Sequence, residues 1–380
     1  MLATDDHGND PDLRRIGINR NFWYPLARSR ELKSGKTLAA EFAGEPIVLV
    51  RTESGRVFAL EDRCAHRQVP LHLGVVCGEK LQCSYHAWRY DVTGKLAGIP
   101  YLPKGCAHPP RNVRAYPCRE AYEHIFVFPG DPQAAETAAF PDLPAWSSPE
   151  YKTMYFSRRL NCHYSFMHEN LMDMNHQFLH RKLMGFVQPV LIDFENGDEW
   201  VEAAYKFEVY GGKEHRGASF LIKGGKDRTA EGRDYELMTI RTHYPYQSLT
   251  VCASHSNTPA IILWSVYVPV DREQRVNQSF GMLMIKKPKM PGLIYALWPV
   301  MRYFTEAVFR QDKKIVEAEQ TAHDLQGEDW NQEVFPLILS LREVLMKRGT
   351  PLQASAEAAA AFAPAGNGNS TRFPSSAIPT

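Results

Sequence analysis

The stretch that decides the fold of the first half of the chain is RCAHRQVPLHLGVVCGEKLQCSYHAW, residues 63–88. Within it, Cys64 and His66 are separated by one residue, and Cys83 and His86 are separated by two. Sixteen residues lie between the two pairs, and turn-prone residues flank both. Two thiolates and two imidazoles from two loops can ligate a metal. The spacing therefore predicts a metal site held by a pair of loops.

Three interpretations of these four side chains stay open from the residues alone. They are unrelated buried cysteines and surface histidines, a structural zinc site, or a two-iron, two-sulfide cluster. The paired spacing disfavours the first. Zinc sites usually use CxxC or HxxxH pairs rather than CxH with CxxH. In the third, two Cys bind one iron and two neutral His bind the other, which raises the reduction potential.

The order of CxH, a spacer of middle length, and CxxH followed by Trp resembles the Rieske domain of ring-hydroxylating oxygenases. This resemblance implies a [2Fe-2S] cluster held by Cys64, His66, Cys83 and His86. The sequence departs from the usual motif only at positions that are not ligands. Pro is common where this chain has Ala65 and Ser84, and Gly is common where it has Gln68 and Ala87.

A second motif is ENLMDMNHQFLHRKLMG, residues 169–185. Residues 163–184 contain no Pro or Gly and predict one continuous helix. On such a helix His176 and His180 lie on one face, about 40° apart, so both imidazoles can reach one metal. An HxxxH pair alone is weak evidence, since ordinary surface or core positions explain it equally well.

This stretch resembles the iron-binding helix of Rieske non-haem oxygenases, in which Asn-x-x-Asp-x-x-His precedes the second His. The resemblance implies that His176 and His180 bind a mononuclear Fe(II), and that Asn170 and Asp173 are catalytic positions. It further implies a homotrimer, in which the Asp173 carboxylate hydrogen-bonds His176 and also a Rieske histidine of a neighbouring subunit.

Two histidines still need a carboxylate to complete a 2-His-1-carboxylate triad, which leaves open positions for dioxygen. The resemblance places it on a later helix, and FRQDKKIVEAEQ, residues 309–320, is similar to that element. Asp312 is the predicted ligand and Glu317 is the alternative. An exposed, charged helix face is the competing interpretation.

The chain is expected to be an α+β protein. An N-terminal antiparallel β Rieske domain precedes a C-terminal catalytic domain that the resemblance makes helix-grip-like, an antiparallel sheet with helices. Strand-like segments span 199–210, 235–252 and 260–285, and a helix spans about 292–325 with Pro299 as a kink or boundary. The predicted divisions are a polar tail (1–18), the Rieske domain (19–135), a connector (136–150), the catalytic domain (151–348) and a disordered tail (349–380).

Composition excludes some classes of function. The net charge is +1, with 44 Lys plus Arg against 43 Asp plus Glu, so a nucleic-acid partner is not expected. No stretch reaches the roughly 18 apolar residues of a membrane span. GLIYALWPVM, residues 292–301, is interpreted as a buried or interfacial helix, with a membrane-surface role as the alternative. Seven cysteines and a polar, acidic N-terminus fit a reducing, cytoplasmic setting.

The resemblance implies a terminal oxygenase, either a monooxygenase or a dioxygenase, that hydroxylates or oxidatively demethylates a small organic substrate with O2. Aromatic residues in the later segments suggest an apolar, aromatic or cyclic substrate, and an aromatic-rich core is the competing interpretation of the same residues. The chain has no Gly-rich nucleotide fingerprint, so electrons from NAD(P)H are expected through a separate flavin reductase, a ferredoxin, or both. The alternative is a Rieske electron-transfer protein whose second domain binds a ligand without oxygen chemistry.

Overall fold

The computed structural model describes residues 12–103, 106–185, 187–209, 213–214 and 235–352. It confirms the expected α+β architecture. Small antiparallel sheets form the first part of the chain, and one large antiparallel sheet with few helices forms the second.

The first part of the chain contains a four-stranded and a three-stranded antiparallel sheet. Their central strands are mostly buried: five of the seven residues of Glu45–Arg51 (EPIVLVR) and all four of His124–Val127 are buried. One sheet has the strand order Ala115–Tyr116, Val57–Glu61, Glu45–Arg51 and Lys36–Phe42. The other has the order Cys118–Ala121, His124–Val127 and Tyr24–Arg28.

A third small sheet carries the two Cys/His loops. Its four strands are Val75–Cys77, Lys80–Gln82, Arg89–Tyr90 and Leu96–Gly98, in sequence order. Its apolar core includes Leu71, Leu81 and Tyr90 together with both cysteines of the motif, and it is continuous with strands Glu45–Arg51 and Val57–Glu61 of the first sheet. The loops therefore stand on a core that two sheets share.

One large antiparallel sheet forms the second part. Its strand order is Tyr151–Leu160, Asn277–Lys286, Pro259–Pro269, Tyr246–Cys252, Leu237–His243, Trp200–Val209 and Val187–Asn196, with Lys213–Glu214 beside Trp200–Val209. Two of the predicted strand segments, 235–252 and 260–285, are each a pair of strands joined by a turn. The reversals lie at residues 244–245 and 270–276. The remaining predicted segment, 199–210, corresponds to one strand.

Helices cover this sheet. The long helix, Leu293–Gln326, begins after Gly292 and ends before Gly327, and both glycines have φ of +80°, a conformation that suits Gly at helix boundaries. Pro299 lies inside this helix and does not end it. The shorter helices are Pro144–Ser147, Tyr164–Met172, Arg181–Met184 and Pro336–Arg348, and single 3-10 turns or helices occupy Leu13–Arg15, Ser29–Glu31, Leu71–Leu73, Ala134–Glu136 and Met174–His180.

The prediction of one helix over 163–184 is wrong. The first helix ends at Met172, and a 3-10 helix runs from Met174 to His180. Asp173 lies between them with ψ of 90°, and its carboxylate caps the second helix by accepting from the Asn175 amide. A short polar side chain that binds nearby backbone in this way competes with a continuous helix.

The predicted tails are shorter than expected where the structure describes them. Leu13 and Ile18 are buried in the main core, and Ile16–Gly17 pairs with Thr350–Pro351 as a two-stranded ladder. Residues 12–18 and 349–352 thus belong to the fold. The rest of both predicted tails, 1–11 and 353–380, lies outside the described residues.

A continuous core joins the two parts of the chain. It runs from Trp23 and Phe126 to Trp264 on the large sheet, and the Tyr246 hydroxyl donates to the Trp23 carbonyl at 2.7 Å. Across the described residues, no helix combines the length and apolarity needed to cross a membrane.

Candidate metal centres

The two Cys/His loops bring the predicted cluster ligands together in pairs, Cys64 beside Cys83 and His66 beside His86. The cysteines are buried, while the imidazoles of His66 and His86 are half-buried with ring centroids 4.6 Å apart. The His66 ring is stacked on Trp88, with centroids 4.6 Å apart. The cysteine sulfurs therefore lie on the buried, inner side of the site, and the histidine nitrogens lie on its outer side, nearer the surface.

The donor atoms fit a metal cluster. His66 Nδ1 is buried and makes no hydrogen bond within the described protein, which is costly unless the nitrogen has another partner. Burial raises the pKa of the Cys83 thiol, and the neighbouring Cys64 raises it further. Two adjacent buried cysteines are suited to binding a metal ion, because the ion stabilises their thiolates.

Both loops are built on the same backbone pattern. The Cys64 amide donates to the Val69 carbonyl at 2.9 Å, and the Cys83 amide donates to the Trp88 carbonyl at 2.8 Å. Gln68 and Ala87, each four residues after its cysteine, donate back to that cysteine's carbonyl. These two residues have φ of +60° and +55°. They occupy the positions where the Rieske motif usually has Gly, so the loop geometry is kept despite the substitution.

Tyr90 contacts one of the cysteines directly. Its buried hydroxyl lies 3.2 Å from Cys64 Sγ and accepts from the Ala65 amide at 3.1 Å, which leaves the hydroxyl proton to the sulfur. A hydrogen bond to a ligating sulfur stabilises the reduced, more negative state of a cluster. Sequence reasoning did not identify Tyr90, although it lies only two residues after Trp88.

We expect Tyr90→Phe to lower the reduction potential of the cluster. If this hydrogen bond is about 1 kcal/mol stronger in the reduced cluster than in the oxidised one, its loss lowers the one-electron reduction potential by roughly 40 mV. Redox titration of the cluster absorbance measures it. Tyr122→Phe is the matched control, because its hydroxyl donates to the Pro141 carbonyl away from the loops. Equal potentials in Tyr90→Phe and wild type would show that the hydroxyl does not act on the sulfur.

A second group of ligands lies where the 3-10 helix Met174–His180 meets the long helix. His180 Nε2 lies 3.1 Å and His176 Nε2 3.8 Å from Asp312 Oδ1. The three ligand atoms lie within 4.8 Å of one another, and no other group of three or more His, Cys, Asp or Glu in the described chain is that close. The alternative ligand, Glu317, points elsewhere and accepts from the Asn161 amide at 2.8 Å.

Each histidine is oriented through its other nitrogen. His176 Nδ1 lies 2.6 Å from the Asp173 carbonyl oxygen, and His180 Nδ1 lies 2.8 Å from Gln311 Oε1. Because both partners are acceptors, each Nδ1 carries the proton and each Nε2 presents a lone pair. Three converging donors, two nitrogens and one oxygen, therefore face a common point on one side.

The donor atoms of this group are also short of partners. His180 Nε2 and Asp312 Oδ1 are buried and make no well-aligned hydrogen bond in the described protein, despite the 3.1 Å between them. Burial lowers the pKa of His180, but the Asp312 carboxylate and the Gln311 amide oxygen outweigh it, so the net shift is upward. The site attracts positive charge, and its donor set suits Fe(II).

The predicted hydrogen bond from the Asp173 carboxylate to His176 is wrong in this structure. The backbone carbonyl of Asp173 holds His176, while Oδ1 of its carboxylate accepts from the Asn175 amide and side chain at 2.9 and 2.8 Å. The cause is the break in the helix, which makes Asp173 a capping residue. Asn170 and Asp173 line one cavity of about 230 Å³ with His176.

Gln311 was missed by sequence reasoning, although it directly precedes Asp312. We expect Gln311→Leu to weaken Fe(II) binding by roughly 10- to 100-fold, because His180 loses the acceptor that fixes its ring. Titration of iron-free protein with Fe(II) measures this, and Gln311→Glu, which keeps an acceptor, should restore most of the affinity. Gln133→Leu, at an exposed position in the first part of the chain, is the control. Unchanged Fe(II) affinity in Gln311→Leu would exclude an orienting role.

Two further histidines, one directly before the helix Tyr164–Met172 and one within it, are packing residues. His168 is fully buried with its ring edge-on to Tyr267 at 4.9 Å, and burial lowers its pKa to about 3. His163 is also buried, and burial lowers its pKa well below the usual value. Both imidazoles are therefore neutral at physiological pH.

Two family models match the chain. Residues 22–117 match the Rieske [2Fe-2S] domain, and residues 160–337 match the vanillate O-demethylase oxygenase C-terminal domain. The first match contains the two Cys/His loops, and the second contains the His/His/Asp group.

Relatives cover the chain to different extents. The 4beta-methylsterol monooxygenase of Methylococcus capsulatus is 30% identical over 362 residues, which are 91% of this chain and 93% of that protein. The oxygenase component of dicamba O-demethylase from Stenotrophomonas maltophilia is 37% identical over 163 residues, 43% of this chain and 48% of that one. The crystal structure of dicamba monooxygenase bound to dicamba has the same fold, with a TM-score of 0.68, 24% identity, and coverage of 90% of this chain and 99% of that chain.

Proposed function

The chain belongs to the Rieske non-haem iron oxygenases, and from that premise we propose that it oxidises a methyl group on an apolar cyclic substrate, with sterol-like rings as the first class to test. The relative that matches along almost the whole length is named for a methylsterol, and a shorter match is named for O-demethylation. A reaction of this kind takes up one O2, two electrons and two protons per methyl group. It yields a hydroxymethyl group and water.

The observation that carries the proposal is the convergence of His176 Nε2, His180 Nε2 and Asp312 Oδ1 in a chain that also holds the four cluster ligands. An electron carrier needs only the cluster. Three protein ligands leave open positions on Fe(II), which is the requirement for an oxygenase. When bound, the cluster supplies one-electron transfer and the mononuclear iron supplies dioxygen activation.

The roles of the site residues follow from these contacts. Cys64 and Cys83 hold the inner side of the cluster, and His66 and His86 hold the outer side near the surface. His176, His180 and Asp312 hold the mononuclear iron. Gln311 and the Asp173 carbonyl keep the two imidazoles turned toward it.

Electrons come from NAD(P)H through a separate flavin reductase, a ferredoxin, or both. The half-buried imidazoles of His66 and His86 are the point at which these electrons leave the cluster. We place the protein in the reducing cytoplasm, because seven cysteines in 380 residues are too few, and odd in number, for a disulfide framework.

We also propose a homotrimer in which electrons pass between subunits through Asp173. Its carbonyl holds His176, and its carboxylate, on a cavity beside that histidine, is available to His66 or His86 of the partner subunit. Asn170 lines the same cavity and is assigned to this interface. In a ring of identical subunits, each cluster face then meets the iron face of the next.

Mixed oligomers test this arrangement. A Cys83→Ser chain lacks a working cluster, and an Asp312→Ala chain lacks a working iron site, so each is inactive alone. In mixed rings a cluster-bearing subunit stands beside an iron-bearing one, and we expect about a quarter of wild-type turnover from random mixing. Activity that stays at the level of the separate variants would place electron transfer within one chain.

The substrate class is tested with purified protein, a ferredoxin, its reductase and NADPH. A 4-methylsterol and an aryl methyl ether are supplied separately. A hydroxymethyl sterol is the expected product, detected by mass spectrometry. Formaldehyde release from the aryl ether alone would assign the chain to O-demethylation, and NADPH consumption without product from either would contradict both.

A further inference from the structure

The first part of the long helix exposes apolar side chains to an unusual degree. Met290 and Val300 are each 65% exposed and Tyr303 is 71% exposed, and Tyr295 and Phe304 are exposed beside them. Farther along the same helix, Val316 is fully buried. Residues 286–304 are called the apolar end below. Burial against the rest of the described chain does not explain this part of the helix.

Positive charge surrounds the apolar end. Lys286, Lys287, Lys289 and Arg302 lie within it, and the sequence has no Asp or Glu from residue 286 to residue 305, although Lys286 Nζ lies 3.5 Å from the Glu150 carboxylate. Lys289 and Arg302 are exposed. A chain with a net charge of only +1 thus concentrates cations around an exposed apolar segment.

Aromatic rings complete the pattern. Lys152 Nζ from the neighbouring strand lies 4.0 Å from the Tyr295 ring centroid and 4.7 Å from that of Trp298. Apolar side chains, Trp and Tyr rings, and Lys or Arg at the edge are the features of helices that lie in a membrane–water interface. A helix with apolar side chains alone would not show this arrangement of charge.

We propose that the apolar end docks onto the surface of an anionic lipid bilayer, where the enzyme collects its substrate. The charge decides between this occupant and a second copy of the chain. The inner leaflet of the cell membrane is negative and attracts these cations, whereas the proposed ring brings the cluster face of one subunit against the iron face of the next. The inference deepens the proposed function, because it rests on an apolar, lipid-like substrate.

The docking surface and the metal site share the long helix. Tyr303 and Asp312 lie on the same helix, nine residues apart, which is roughly 14 Å at 1.5 Å per residue. A substrate that leaves the bilayer at the apolar end therefore has a short path along one rigid element to the His/His/Asp group.

Flotation with lipid vesicles tests the docking directly. The full chain with its metals is mixed with vesicles of phosphatidylcholine alone or with 30% phosphatidylserine. We expect at least tenfold tighter binding to the anionic vesicles, weakened by 0.5 M NaCl. The Val300→Ser/Tyr303→Ser and Lys289→Glu/Arg302→Glu variants should each lose at least tenfold in binding.

Matched controls separate docking from folding. Val334, 85% exposed elsewhere, gives Val334→Ser, and the exposed Lys33 and Arg111 give Lys33→Glu/Arg111→Glu. All variants should keep the cluster absorbance and the melting temperature. Binding that is equal in wild type and the apolar-end variants, or absent in all, overturns the proposal. A variant that changes only the oligomeric state would assign the apolar end to a second copy.

Turnover distinguishes this proposal from the substrate assignment. With sterol dissolved in cyclodextrin, the apolar-end variants should match wild type, while with sterol in vesicles they should fall at least tenfold. If no sterol is oxidised in either form, the substrate assignment fails while vesicle binding is judged separately.

Discussion

Replacing Asp312 with alanine is expected to leave a protein that keeps its iron–sulfur absorption but loses its mononuclear iron. Wild type should contain three irons with two acid-labile sulfides per chain, and Asp312→Ala should contain two irons with two sulfides. Two neutral imidazoles remain, and they neither neutralise the charge of Fe(II) nor complete the triad. Loss of an orienting partner typically costs 10- to 100-fold, so loss of a ligand should lower affinity and product formation by more than about 100-fold.

Glu317→Ala is the matched control for this experiment. It lies five residues further along the same helix, and its carboxylate accepts from the Asn161 amide and lies 3.6 Å from Lys313 Nζ. We expect it to keep all three irons. Iron and sulfide analysis of anaerobically purified proteins decides the matter, and full iron in Asp312→Ala with loss in Glu317→Ala would reverse the assignment.

The cluster loops were predictable from the sequence because their ligands are close in the chain and their spacing is specific. Cys64, His66, Cys83 and His86 were identified from spacing and resemblance, and the structure brings them together on one small sheet. Gln68 and Ala87 show the limit of such reasoning. A motif that expects Gly there gives no indication that other residues adopt the same positive φ, since loop hydrogen bonds impose it.

The mononuclear site was predictable only in part. Two of its residues are four apart in sequence, but Asp312 comes from a helix more than a hundred residues later, and only resemblance indicated it. Helical periodicity predicted an unbroken helix, whereas the capping bond of Asp173 divides it. Because of this break, the backbone carbonyl of Asp173 contacts His176, and not the carboxylate that was predicted to do so. Periodicity describes which residues share a face and carries no information on such competition.

The sequence also could not predict which faces of the long helix are buried and which are exposed. GLIYALWPVM has the composition of a core segment, and composition alone favours burial for such a run. Whether other elements cover it depends on tertiary packing, which left Tyr295 and Val300 exposed. Orienting residues such as Gln311 and Tyr90 were missed for the same reason, since only folding brings a side chain to its partner.

Asp173→Asn should keep all three irons and yet lower turnover by at least about 100-fold. Asn caps a helix about as well as Asp, so the bonds to Asn175 and the carbonyl contact that orients His176 should remain. What disappears is the negative charge proposed to meet a cluster histidine of the partner subunit. The reduced cluster should then be reoxidised slowly in a single turnover, followed by its visible absorbance.

Asp131→Asn provides the control for Asp173→Asn. The Asp131 carboxylate accepts from the Gln133 amide at 3.0 Å, just as the Asp173 carboxylate accepts from the amide two residues later. Asp131 lies in an exposed loop of the first part of the chain. Its turnover should equal wild type. If Asp173→Asn loses the mononuclear iron, then Asp173 supports the iron site itself. If turnover is unchanged with all three irons present, the carboxylate has no part in passing electrons between subunits, because removing its charge removes the feature that the bridge requires.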